Sequence, residues 1–107
     1  MPHYLLQVGY TPEAWTAMSK HPQSRAEQVR APIEAMGGKL ESCYLCFGEY
    51  DLIAVVEFPN NQTAAAFSIA ASAGGAVLAY NTTPLLTMEE GIEAMHKAAC
   101  STYHPPA

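Results

Sequence analysis

Residues 52–56, Leu-Ile-Ala-Val-Val, form an unbroken apolar run between the turn residues Gly48-Glu49-Tyr50-Asp51 and the helix-opening Pro59-Asn60-Asn61. A run this short, bounded by turn signals, is a buried strand rather than a helix. Neighbouring side chains in a strand point to opposite faces, so both faces of this one are greasy and both must be hidden from water. The same doubling recurs elsewhere. Leu5 lies between Tyr4 and Leu6, and in residues 39–47 Leu40 and Tyr44 share one parity while Cys43, Leu45 and Phe47 share the other.

The segments around that run set the topology. Residues 2–10 carry β-compatible Tyr, Leu and Val, and Thr11-Pro12-Glu13 then supplies an N-cap, a proline at the first helical position and an acid in the first turn. The helix breaks near Lys20-His21-Pro22 and resumes with Ala26, Val29, Ile33 and Met36 on one stripe, with Pro32 expected to kink it. Gly37-Gly38 ends it, and strands at 39–47 and 51–58 follow, joined as a hairpin through Gly48-Glu49-Tyr50. An alanine-rich helix opens at Asn60 and stops at Gly74-Gly75. A fourth strand occupies 77–86, and Thr87-Met88-Glu89-Glu90 makes a capping box for a last helix with Met88, Ile92 and Met95 on one face. The order β-α-β-β-α-β plus a C-terminal helix predicts an α+β, ferredoxin-like domain with a four-stranded antiparallel sheet.

In that architecture both main helices cover one side of the sheet, which leaves the second apolar face for something else. A symmetric second copy is the expected cover, because two-fold dimers are the commonest closed assembly and an uncovered patch invites aggregation. The 107 residues are enough for one core and too few for two, so residues 1–107 are read as a single domain. A net charge of −5 with only five Lys and Arg repels phosphate backbones and anionic lipid, which excludes nucleic acid and a membrane surface as expected partners. The alanine-, serine- and glycine-rich stretch 64–80 is broken by Gly74-Gly75 and is not a membrane span. Three cysteines, an odd number, and a start without a secretory pattern point to reduced thiols in the cytoplasm.

Chemistry-bearing patterns are sparse. Cys43 and Cys46 have C-x-x-C spacing but fall three apart on a strand, so they point to opposite faces and are read as buried, inert thiols rather than a redox or metal pair. The four histidines lack metal-ligand spacing, and no metal or cofactor is expected. Gly74-Gly75 follows a helix and precedes a strand, the reverse of a phosphate loop. Asp51 and Glu57 sit about 20 Å apart along one strand, too far for a carboxylate pair. Tyr50 and Asp51 are the candidate catalytic residues, as hydrogen-bond donor and base, although glycine and aspartate in a turn need no such role. Gln7, Tyr10, Trp15, Tyr44 and Tyr80 are the candidate ligand-binding residues, polar and aromatic groups beside apolar walls.

The blocks YTPEAW at 10–15, GGKLE at 37–41, FGEYDLIAVVEFP at 47–59, TTPLLTMEE at 82–90 and the closing YHPP resemble the GYD-domain family, named for its Gly-x-Tyr-Asp signature. The resemblance spans nearly the whole chain. It implies a ferredoxin-like fold assembled as a dimeric α/β barrel, and it places the signature on Gly48, Tyr50 and Asp51 without giving those residues a role. Where relatives often have an aspartate opening the second main helix, this chain has Asn60. Function is left between two readings. One is a homodimer that binds a small, partly apolar molecule between sheet and helices, as a cofactor-independent enzyme if it is catalytic. The other is a non-catalytic ligand-sensing or assembly module.

Overall fold

Local capping chemistry sets most of the element boundaries. The computed structural model describes residues 1–106. The elements run β1 (His3–Tyr10), α1 (Pro12–Lys20), α2 (Arg25–Ala35), β2 (Lys39–Leu45), β3 (Leu52–Glu57), α3 (Asn61–Ala73), β4 (Val77–Leu85) and α4 (Met88–Ala99). Thr11 accepts the Ala14 N–H with its hydroxyl at 3.1 Å, and Asn60 Oδ1 accepts the Thr63 N–H at 2.8 Å. Thr87 and Glu90 form the reciprocal capping box. Each satisfies amides that the first turn of a helix leaves without partners. The helix over 25–35 runs continuously through Pro32.

The strands form one antiparallel sheet in the order β2-β3-β1-β4, with β1 and β3 at its centre. This is the α+β, ferredoxin-like arrangement expected from the element order, its first crossover divided into α1 and α2. The core lies between sheet and helices: Tyr4, Leu6, Val8 and Tyr10 from β1 and Leu52, Ala54 and Val56 from β3 meet Ile33 of α2 and Ala64 of α3. Tyr4, Phe58, Ile33 and Val56 are the largest side chains fully withdrawn from water. Each contributes about 1.5–3 kcal/mol by the usual area relation. Gly38 lets the chain after α2 come in close, since a Cβ there would lie 2.6 Å from the Glu57 carbonyl oxygen and 2.8 Å from Phe58 Cδ1. Gly37, at φ +79°, makes the left-handed exit from the helix.

Two expectations about the hairpin need correction. Strand β2 ends at Leu45 and β3 begins at Leu52, so the connection spans 46–51, and Phe47 at its tip is fully exposed instead of continuing a strand. A register shift between Leu40 and Ser42 also inserts a bulge. One extra residue reverses the parity of all that follows. Leu40 therefore shares a face with Cys43 and Leu45, opposite Val56, Ala54 and Leu52, while Tyr44 pairs with Ile53 on the other side.

That other side carries Leu5, Gln7, Ile53, Val55 and Tyr44. The first four are half-buried and Tyr44 is exposed. Helix α4 buries none of its residues, and Met88, Ile92 and Met95 are all exposed. The radius of gyration is 17.0 Å and the longest axis 57 Å, against roughly 13 Å expected for the radius of a compact chain of this length. Helix α4 and the extended residues after it account for the excess by standing off the body.

Candidate functional site

Asp51 is the last residue of the connecting loop and looks back at the end of β1. Its Oδ2 accepts the Tyr10 backbone N–H at 2.9 Å and the Trp15 indole Nε1–H at 3.4 Å. Its own N–H donates to the Val8 carbonyl at 2.8 Å, and its carbonyl accepts the Cys46 N–H at 2.8 Å. The carboxylate thus joins the β2–β3 loop to the β1–α1 junction, and donors of the fold occupy its Oδ2. Tyr50 is half-buried, and its carbonyl accepts from the Cys46 thiol at 3.1 Å. Asp51, with the Tyr50 carbonyl, clamps this loop to the end of β1.

A partly open apolar cavity of about 80 Å³ lies beside this clamp, between the sheet and helices α2 and α3. Val8, Ile33, Ala54 and Phe67 contribute apolar walls, and Tyr10, Arg25 and Tyr80 are its polar members. The Tyr80 hydroxyl is buried beside the Ser68 and Thr82 hydroxyls, just outside hydrogen-bonding geometry with either. Burial pushes the Tyr80 phenol up from its ordinary value, and the nearby Ser68 and Thr82 hydroxyls, which bond each other at 2.8 Å, only temper the rise. Arg25, at the start of α2, lays its guanidinium over the Tyr10 ring at 5.7 Å and donates from Nε to the Tyr10 hydroxyl at 3.4 Å. It also lines an outer groove of about 370 Å³ with Trp15, Met18, Gln23 and Leu45, so one side chain borders both groove and cavity. A wider hollow along α3 and β4, about 650 Å³, is open surface and encloses nothing.

Of the five residues expected to bind a ligand, Tyr10 and Tyr80 line the cavity, and Trp15 stands at the groove, edge-on to Tyr10 at 5.7 Å. Gln7 and Tyr44 lie on the opposite face of the sheet, where Gln7 accepts from the Asn81 amide at 3.1 Å. Arg25 was not singled out from the sequence. The signal was there: Arg30 and Lys97 each have a glutamate three or four residues before them, whereas Arg25 has no acid at those spacings on either side.

The cysteines are free, Cys43 and Cys46 half-buried rather than fully buried and Cys100 exposed. Burial pushes the Cys43 thiol up, against a lowering pull from Arg25 and Arg30. On the open face His3 Nε2 lies 3.0 Å from Glu41 Oε1 and 3.7 Å from Glu57 Oε1. This group offers one nitrogen and two oxygen ligand atoms, and spacing rules passed over it because its members come from three strands. No helix among the described residues is long and apolar enough to cross a membrane.

The fold recurs in solved structures. A crystal structure of FFRP-DM1 superposes with a TM-score of 0.54 at 17% identity, covering 80% of this chain and 100% of that one. A hypothetical protein, PHS023 from Pyrococcus horikoshii, gives 0.53 at 17% identity over 81% of this chain and 92% of its own. MtbAldR gives 0.52 at 17% identity over 80% of this chain and 52% of its own, so this chain matches about half of that protein. At such identities the likeness is one of fold. Among curated proteins none matches the chain. The model of the GYD domain matches residues 4–95, taking in β1, the Gly48-Glu49-Tyr50-Asp51 clamp and most of α4; the chain belongs to the GYD-domain family.

Proposed function

We propose that this protein is a homodimeric binding module that holds a small, partly apolar molecule in the cavity between sheet and helices. The observation that carries the reading is the apolar cavity of about 80 Å³ itself, bordered by a half-buried Arg25 that has no carboxylate partner among the described residues. Binding is favoured over catalysis because the cavity lining contains no carboxylate, histidine or thiol, and because the Asp51 oxygen is held by the Tyr10 and Trp15 N–H groups.

The dimer reading rests on Leu5, Ile53 and Val55, which the described elements leave partly exposed, and on the outstretched α4 with its bare Met88, Ile92 and Met95. Apolar surfaces of this kind are covered in stable soluble proteins, and a sheet-to-sheet pairing of two copies covers both.

Two measurements test the proposal. In sedimentation velocity the wild type should run as a dimer and Val55→Lys as a folded monomer; a stable wild-type monomer overturns the assembly. In a ¹H–¹⁵N titration with 3-methylbutan-1-ol, amides of Val8, Ala54 and Tyr80 should shift, and the shifts should vanish in the cavity-filling Ala71→Leu. Cavity amides that stay still in the wild type overturn the binding site.

A further inference from the structure

The geometry points to a monocarboxylate as the ligand, a short branched acid whose charged end meets Arg25 while its apolar end fills the cavity; this rests on the binding reading above.

Arg25 is half-buried, and its guanidinium is only partly used. Nε donates to the Tyr10 hydroxyl and Nη1 to Gln28 Oε1, while Nη2 bonds no acceptor among the described residues. No carboxylate of those residues lies within 4 Å of it, although Arg30 and Lys97 both have glutamate partners. A half-buried cation gains from an anionic partner, and a planar guanidinium with free N–H groups matches a carboxylate most closely. The one acid of the neighbourhood, Asp51, is held by the Tyr10 amide and the Trp15 indole.

Charge and size narrow the class. Arg25 is the sole cation lining either the groove or the cavity, and the chain as a whole carries −5, so a dianion such as a phosphate monoester would be under-neutralised. The cavity, at about 80 Å³, is roughly half the volume of an engineered cavity that takes benzene, which suits a branched chain of about three to five carbons. Arg25 lines both spaces, so an acid entering by the groove would leave its carboxylate at the guanidinium and pass its tail inward toward Tyr80.

The test is a ¹H–¹⁵N titration of the full chain with isovalerate and with isovaleramide, which has the same shape and no charge. Wild type should bind isovalerate at least tenfold more tightly than the amide, with shifts at Tyr10, Arg25 and Tyr80. Arg25→Gln should bind the two equally, and Arg25→Lys should keep part of the preference, which separates loss of charge from loss of packing on Tyr10. Equal affinities in the wild type, or a preference that survives Arg25→Gln, overturn the carboxylate assignment while the shifts with 3-methylbutan-1-ol leave the cavity standing. If neither the acid nor the alcohol moves the cavity amides, both readings fall.

Discussion

Asp51 Oδ2 accepts the backbone N–H of Tyr10 at 2.9 Å, across 41 residues of sequence. The bond closes the end of the sheet where β1 gives way to α1, and the same oxygen reaches the Trp15 indole. The loop after β2 and the wall of the cavity are therefore positioned by one side chain. Tyr10 is also the surface on which Arg25 rests, so the family's signature aspartate acts on the candidate site through its geometry.

Replacing Asp51 by Ala should cost about 1.5–3 kcal/mol in urea unfolding, the range for charged hydrogen bonds lost from a partly buried site. Asp51→Asn keeps an acceptor and should cost less than half of that. Trp15 is the only tryptophan, so its emission reports the loosened junction directly. Unchanged stability and emission in Asp51→Ala would show that the clamp carries nothing.

Gly38→Ala should destabilise the fold by about 1–3 kcal/mol, because the added methyl meets backbone oxygen at 2.6 Å and Phe58 at 2.8 Å. Gly48→Ala, with nothing within 4 Å of the new methyl, should change the melting temperature little. Equal effects at the two positions would contradict the packing described for the α2–β2 turn.

Tyr80→Phe removes the hydroxyl that has no partner. Without ligand its stability should equal or exceed that of the wild type by up to about 1 kcal/mol, since a buried unmade hydrogen bond is lost rather than a made one. A clear loss of stability in thermal unfolding would mean that the hydroxyl is bonded in solution.

Thiol reactivity should rank Cys100 first and Cys43 last. Cys100 is exposed, whereas Cys43 is half-buried with its pKa pushed up by burial, so less thiolate is present at a given pH. Peptide mapping after brief alkylation at pH 8 checks the order, with a gap of about tenfold or more expected between the two.

Helix α4 should lose order in acid. The Thr87 N–H donated to Glu90, and next the Thr87 hydroxyl, hold the Glu90 carboxyl below its ordinary value. A depressed carboxyl contributes stability that is full above the unfolded value of 4.5 and fades as pH falls through the lower folded one. Amide exchange at the start of α4 should rise across that window, and Glu90→Gln should flatten the dependence.

What was legible in the sequence was local. The caps at Thr11, Asn60 and Thr87, the glycine exit at Gly37-Gly38 and the doubled hydrophobicity of 52–56 act within a few residues, so spacing alone announces them and, with them, the order of the elements. What the tertiary structure decided was long-range. The bulge at Glu41 exists only against β3, and it moved Tyr44 to the face away from the helices. Arg25 faces a cavity only because α2 docks where its long side chain can lie on Tyr10, from a different element. Asp51 became a clamp only once folding brought the end of β1 within hydrogen-bonding distance, because a side chain's role is set by neighbours that sequence separation conceals.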